Sequence, residues 1–395
     1  MQKKNEKIMR IGFVSDIDPF ADRTSWSGTV FKLRESIERA GYEVVWVRFD
    51  KKLNDLRSKV SLRLLNWYMK WSGKNVIGTC YLDFFCRYFA KTIEREGIYK
   101  SCDCLFFAGP SGGQIAHYLK TKVPYIYLAD ACYQLMENYY WFNLSPYFAR
   151  KARREENLAA QQAWLNIRSS QWAAEGTVRL CKARKETMYV LEFGANIDDE
   201  NITVVKPYEK GTLNMVFSGT DWIRKGGETA VLATEALRRR GYDARLFMVG
   251  IKELPKEHQG KEYITNVGFL NKNTSADYQK YISLWKQAHL LLLPTRAECS
   301  AIVFSEAAAY GVPVFTYDTG GTGNYVENGR NGFMLPLTEG PEAFAESIAN
   351  SIRNGQMALL AQGARELYDE RLSWKRWSER FKDIIEKNRH ALPHL

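Results

Sequence analysis

A chain of 395 residues exceeds the roughly 250–300 over which one hydrophobic core usually grows, so two domains are expected. Hydrophobic residues make up 45% and charged residues 26%, a globular balance, and no apolar run approaches the roughly 20 residues of a membrane span. The formal net charge of +11 favours anionic partners, but no recognised nucleic-acid module accompanies it, so nucleic acid is not expected. Residues 1–8 are basic without the apolar core of a secretory leader, which makes the cytosol the expected compartment, with the inner face of the membrane as a place of peripheral contact.

In chain order, apolar stretches at 10–15, 43–48, 104–107, 125–128, 163–167 and 187–191 read as strands, with an amphipathic helix at 32–40. Strands alternating with helices imply a parallel sheet with helical crossovers, and the second half repeats the pattern. Between residues 51 and 74 seven basic residues face one acid, and Leu56, Val60, Leu64, Trp67 and Trp71 share one helical face. Such a segment either lies on an anionic bilayer or packs its stripe on the sheet with its lysines in water. A second aromatic-then-basic stretch runs through 138–142 and 150–154. The glycines of 109–113 outline a phosphate loop but lack its Gly-Lys-Ser/Thr ending, so a turn before a helix at Gln114 is the simpler account. Residues 192–197 then lead into the polar stretch 198–210, which reads as an interdomain linker.

The second half has strands near 213–218, 244–249, 263–267, 289–293 and 312–317. The first of these ends at Gly219 and is followed by Arg224, Lys225, Gly226 and Gly227 ahead of a helix at 229–240. A glycine turn presenting Arg and Lys at the mouth of a helix suits phosphate oxygens, because neither side chain has to deprotonate. A basic turn on a solvated face is the plainer alternative. After the apolar run 289–293 come Glu298 in a loop and Glu306 in a helix, with seven residues between them. That order aims two carboxylates and a helix N-terminus at one place, with amides for a diphosphate and carboxylates for hydroxyls. A glycine-rich turn at 318–324 follows, and Asn-Gly pairs at 328–329 and 331–332 punctuate the return to 333–335. In the tail, Trp374, Trp377, Phe381 and Ile385 stand near helical spacing.

The seven cysteines include no Cys-x-x-Cys pair, and Cys102 and Cys104 head an apolar run that explains them by packing. The five histidines show no ligand spacing. Neither a structural metal nor a cofactor is expected.

The pair Glu298-x7-Glu306 followed by Ala-Ala-Ala-Tyr-Gly-Val-Pro-Val314, the Asp318-Thr-Gly-Gly turn and the Asn-Gly-x-Asn-Gly-Phe333 segment stand together in one order. In this the chain resembles glycosyltransferase family 4, the retaining group 1 transferases of the GT-B fold, strongly over residues 189–390 and more weakly before them. The resemblance implies an α/β architecture of two Rossmann-like parallel-sheet domains facing each other across a cleft. Residues 1–197 would bind the acceptor, 198–212 would link, 213–372 would bind the donor, and 373–395 would cross back as a final helix.

Site roles follow from the same resemblance. Lys225 neutralises the donor diphosphate, and Arg224 stands in for the basic residue that the family places where this chain has Thr220 after Gly219. Glu306 takes the ribose hydroxyls and Glu298 lies beside the transferred sugar. Ser300, Ala301 and Ile302 offer amides to the diphosphate, although Cys299-Ser300-Ala301 replaces the family's usual Gly-Phe-Gly. Phe269 and Leu270 fall at the base pocket, where Phe269 is open to a stacking role or a core role. Ser27 and Gly28 occupy the position of a glycine loop that faces the donor phosphates, with a plain N-cap by Ser27 as the alternative. Asp130 ends a strand where the family places a group near the reacting hydroxyl. Asp16-Ile-Asp18 has the outline of a metal-binding Asp-x-Asp, but it follows the first strand while the donor site is in the second half, so it reads as loop polarity with Asp16 near the acceptor.

The implied reaction moves a sugar, with retention and without a metal, from a nucleoside-diphosphate sugar to a hydroxyl of a glycan or lipid-linked glycan in bacterial polysaccharide or glycoconjugate synthesis. UDP-sugars are the expected donors by family frequency, with GDP-mannose next. A GT-B-like nucleotide-sugar epimerase and a non-catalytic nucleotide-sugar-binding accessory protein are the alternatives left open.

Overall fold

The inner apolar runs, such as 125–129 and 290–293, form strands buried on both faces, as parallel sheets require when helices cover either side, while the runs at 43–48 and 264–268 stay partly exposed. The computed structural model describes residues 8–52, 56–109 and 112–392. It divides into two units, one formed by Met1–Leu191 with Ser378–Leu395 and the other by Glu192–Trp377.

The first unit holds β1 (Arg10–Ser15), β2 (Glu43–Arg48), β3 (Cys104–Ala108), β4 (Tyr125–Ala129), β5 (Leu165–Arg168) and β6 (Met188–Val190). All pair in parallel in the order β2-β1-β3-β4-β5-β6. Successive strands are laid down in opposite directions from the β1–β3 boundary, a topological switch at whose carboxyl side ligands of doubly wound sheets bind. Phe13 of β1 and Phe106 of β3 are fully buried neighbours, and Phe381 of the final helix closes on Phe106 edge-on at 5.9 Å. The helix Leu56–Ser72 buries Ser58 and Leu65 and turns the stripe from Leu56 to Trp71 to solvent, so that stripe does not pack on the sheet.

The second unit holds β7 (Thr212–Ser218), β8 (Asp243–Val249), β9 (Ile264–Gly268), β10 (Leu290–Leu293), β11 (Val314–Tyr317) and β12 (Gly332–Leu335). Their order is β12-β11-β10-β7-β8-β9, again all parallel, and the switch falls between β7 and β10. The four leucines of β10 are completely buried, the state a central strand with both faces covered demands. The return at 333–335 is more than a turn exit: it is the edge strand β12, and Gly332 enters it so close to β11 that a Cβ would collide with the Val314 carbonyl. The polar stretch 198–212 is fastened to this unit, since Tyr278 Oη accepts from the Asp198 amide at 2.8 Å and Tyr310 Oη donates to the Asn201 carbonyl at 2.8 Å. The helix Trp374–Asn388 begins in the second unit, where Trp374 stacks on Phe193 at 6.1 Å, and its residues from Ser378 belong to the first.

Candidate active site

Two loops flank the switch point of the second sheet. The loop after β7 begins when the Gly219 amide donates to the Val249 carbonyl at 2.9 Å, and it ends at Gly226, which opens the helix Gly227–Arg239. Gly226 has φ +74° and lies against Pro294, where a Cβ would strike the carbonyl, so only glycine brings this turn up to the end of β10. The two loops are then clipped together: the Arg296 amide donates to the Arg224 carbonyl at 2.7 Å and Thr295 Oγ1 to the same oxygen at 3.3 Å.

This clip sets the charges. Lys225 Nζ donates to Glu298 Oε2, and the lysine stem lies on Gly219, whose missing Cβ would come within 2.7 Å of Lys225 Cγ. Arg224 Nη1 donates to the Ala297 carbonyl at 3.0 Å and stands 3.7 Å from the same Glu298 oxygen. Asp221 receives the Arg224 amide at 3.0 Å and fixes the turn. Glu298 is 5% exposed, and its carbonyl accepts from Gly321, which ties in the Asp-Thr-Gly-Gly turn. Lys225 carries three N–H donors, and the Glu298 contact uses one of them. Lys225, Arg224, Gly219 and Glu298 are therefore brought together, as their sequence order leads one to expect, and Glu298 is not a solvated surface group.

Glu306 forms a second cluster. It sits on the helix Ile302–Ala309 and is 2% exposed; Lys272 Nζ donates to Oε1 at 2.7 Å and Tyr281 Oη to Oε2 at 2.5 Å. The Lys272 ammonium also lies 4.4 Å above the Tyr281 ring. Burial and the adjacent Glu306 push the Tyr281 hydroxyl well above its ordinary range, so it stays a donor. Each carboxylate oxygen has a lone pair beyond the one engaged, which leaves Glu306 able to accept from a further hydroxyl. Sequence reasoning missed Lys272 and Tyr281. Lys272 sits in an Asn-Lys-Asn turn and Tyr281 on a helix face, and no local spacing ties either to an acid 34 or 25 residues away.

Ala301 holds an extended backbone before that helix and no side chain caps it, while Ser300 and Ile302 are half-buried. Phe269 just beyond β9 is 64% exposed, which rules out the core role weighed for it, whereas Leu270 packs against the hydrophobic core of the unit.

In the first unit Trp26, Ser27 and Gly28 have three consecutive positive φ values of 51°, 60° and 93°. Non-glycine residues seldom adopt that region, so this run stores strain just before the helix Thr29–Arg39. Gly28, not Ser27, occupies the N-cap position, and the Trp26 ring covers Gly109 past the end of β3. Asp130 follows β4 directly, half-buried, with Oδ1 accepting from the Ala131 amide at 3.0 Å. Asp16 pairs with Lys51 at 2.9 Å and Asp18 accepts from the Phe20 amide at 2.8 Å, so both serve the loop after β1. Part of the 109–113 segment lies outside the described residues.

One histidine does acquire neighbours that spacing did not reveal. Ligand atoms of Glu228, Glu257 and His258 lie within 4.8 Å of one another. His258 Nε2 meets Glu228 at 2.6 Å while Lys261 Nζ donates to Nδ1 at 3.1 Å. A lysine donating to Nδ1 leaves the imidazole proton on Nε2, directed at Glu228, so these groups form a hydrogen-bond network that does not present Nε2 to a cation.

Residues 198–387, nearly all of the second unit and part of the final helix, match the family model described as glycosyl transferases group 1. The chain is 31% identical over 107 residues to a D-inositol 3-phosphate glycosyltransferase of Saccharomonospora viridis, a match covering 27% of this chain and 24% of that one. It spans about a quarter or less of the length of the curated relatives it matches. Among solved structures, sucrose-phosphate synthase from Thermosynechococcus elongatus superposes with a TM-score of 0.70 at 16% identity, over 97% of this chain and 100% of that one. Anabaena HepE, in complex with UDP and glucose, gives 0.62 at 16% identity over 96% and 99%. Among the described residues twelve parallel strands in two Rossmann-like units give the chain the GT-B fold, and its second unit carries the match to glycosyl transferases group 1.

Proposed function

We propose that the chain is a retaining, metal-independent transferase of family 4 that moves a sugar from a UDP-sugar to a hydroxyl of a glycan or lipid-linked glycan. The observation that carries this reading is the pair of buried glutamates beyond the switch point, each held by a lysine: Glu298 by Lys225 and Glu306 by Lys272. Breaking an anomeric bond leaves negative charge on the departing diphosphate. Lys225 and Arg224, fixed beforehand by the clipped loops, would stabilise that charge with the amides at the start of the helix Ile302–Ala309, the kind of preorganised electrostatic contribution that usually dominates catalysis. Glu306 would accept from the ribose hydroxyls, and Glu298 would hold Lys225 until phosphate oxygens replace it. Retention then needs no protein nucleophile: the acceptor hydroxyl adds from the side the diphosphate vacates, and a diphosphate oxygen takes its proton. Asp130 of the first unit is the group proposed to meet the acceptor.

The uridine preference draws support from HepE, whose structure holds UDP and glucose. Release of free nucleoside diphosphate from a panel of nucleotide sugars, with and without glycan acceptors and with a chelator present, tests the proposal. UDP release that rises with acceptor and survives the chelator is expected. Interconversion of the sugar without release would establish the epimerase instead, and binding without either would establish the accessory role.

A further inference from the structure

The helix Leu56–Ser72 carries more exposed apolar surface than a water-facing helix has reason to keep. Its inward face holds Ser58 at 1% and Leu65 at 8% exposure, with Leu62 against the core of the first unit. Opposite that face, Leu56, Val60, Leu64, Trp67 and Trp71 are 75, 42, 61, 62 and 73% exposed. Single exposed apolar residues are ordinary, but five aligned along four turns form a continuous strip. Trp67 and Trp71 stack at 6.1 Å with their planes 8° apart, which presents the two rings as one surface.

Along the helix the charges are of one sign. Arg57, Lys59, Arg63 and Lys70 are all exposed, and the helix contains no acid. By helical spacing Lys59, Arg63 and Lys70 border the strip along one side, with stems long enough to run beside it and charges free to reach outward. The surface continues onto a second element. Beyond the helix, Lys74 Nζ donates to Asn143 Oδ1 at 2.7 Å and Asn75 Nδ2 to the Phe142 carbonyl at 2.9 Å, while Tyr68 and Ser145 share a hydrogen bond at 2.8 Å. These contacts hold residues 142–147 against the end of the helix, where Phe142 and Tyr147 are 58 and 57% exposed. Arg150 and Arg154 follow on the next helix, both exposed.

We infer that this face of the first unit lies on an anionic lipid bilayer, with the strip and its tryptophans at the headgroup boundary and the basic border on the lipid phosphates. Charge complementarity selects this occupant. An apolar strip edged by cations and devoid of acids fits a surface that is apolar within and negative at its rim, and indole rings prefer that boundary. The inference does not depend on the transferase reading, although a transferase held there would meet a lipid-linked acceptor.

Co-sedimentation of the full chain with phosphatidylcholine vesicles, with and without phosphatidylglycerol, tests it. Binding is expected to the anionic vesicles, to weaken as salt is raised, and to shift tryptophan emission to the blue. Each basic residue reversed in Lys59→Glu, Arg63→Glu and Lys70→Glu should cost about fivefold or more in partitioning. The double variant Trp67→Ser, Trp71→Ser should lose about tenfold or more. Both sets alter only exposed side chains, and an unchanged melting temperature separates lost docking from lost folding. Equal binding to neutral and anionic vesicles, no binding to either, or variants that bind like the parent would overturn the inference. So would a concentration-dependent dimer that the tryptophan variant abolishes without lipid, since the strip would then face a second copy. Nucleotide-sugar turnover in solution is untouched by any of these outcomes.

Discussion

Two parallel sheets of six strands gather different chemistry beyond their carboxyl ends. In the second unit the charges stand in pairs partly open to solvent: side-chain exposure is 12% for Lys225 and 26% for Arg224, against 6% for Glu298. In the first unit the corresponding polarity is sealed. Glu156 and Arg168 are completely buried; Glu156 accepts from Gln114 at 2.5 Å and from Tyr127 at 3.1 Å. Arg168 donates to Thr177 at 3.0 Å and to the Tyr127 carbonyl at 3.0 Å, with its guanidinium 4.5 Å from the Tyr127 ring centre. A charge at the lip of a site can exchange its partner for a ligand. A charge sealed under strand ends can only hold those ends in place. The family match covering residues 198–387 falls on the half with exchangeable pairs.

The comparison breaks most readily at Lys225. Lys225→Ala should lower nucleoside diphosphate release by about 10²–10³-fold, the usual cost of removing one preorganised donor. Its melting temperature should change little because Arg224 stays 3.7 Å from Glu298. A variant that unfolds early yet turns over normally would make the pair structural. The sealed network should behave the opposite way: Arg168→Met leaves Glu156 without its nearby cation and should cost about 3–5 kcal/mol in chemical denaturation.

Glu156 gives that network a pH signature. Burial pushes its carboxyl up, partly offset by Arg168. An acid raised on folding stabilises below its unfolded value and withdraws that contribution as pH climbs through the folded one. Unfolding free energy should therefore decline from about pH 4.5 upward more steeply in the parent than in Glu156→Gln. Parallel curves would mean the carboxyl is solvated.

Phe269 sharpens the contrast at the ligand side. Phe269→Ala should weaken UDP binding about tenfold in calorimetry if the ring stacks on the base, with no loss of stability from a side chain already 64% exposed. A stability loss without an affinity change would contradict the stacking role. The smallest effect belongs to His289, whose Nδ1 accepts from the Asn214 amide at 2.9 Å and whose pKa burial lowers. A base depressed on folding stabilises above its ordinary value and loses that contribution as pH falls below about 6.5. His289→Asn, which keeps an acceptor there, should flatten this part of the melting profile.

Much of the second unit was legible because its signals are local. The apolar run of β10, the glycines after Lys225 and the Glu298–Glu306 spacing all lie in short windows, and each reports a strand, a turn or a helix start. Lys272, Tyr281, Glu156 and Arg168 were not legible, since their partners come from other elements and no period links them. Helical spacing found the strip from Leu56 to Trp71, but a period identifies a face without saying which way it points; the structure decided that by burying Ser58 and Leu65. Phe269 shows the converse, an apolar residue at a strand end that the fold leaves in water. β12 was hidden behind its Asn-Gly turns, and only the pairing with β11 reveals it.

Lys225 is expected to exchange Glu298 for a diphosphate oxygen, and Glu306 to accept a ribose hydroxyl on lone pairs that Lys272 and Tyr281 leave open. A crystal structure of the chain soaked with UDP-sugar tests it most directly. The expected result is a diphosphate oxygen within hydrogen-bond distance of Lys225 Nζ and a ribose hydroxyl on Glu306. Nucleotide bound elsewhere, with Lys225 still on Glu298 and no hydroxyl on Glu306, would contradict it.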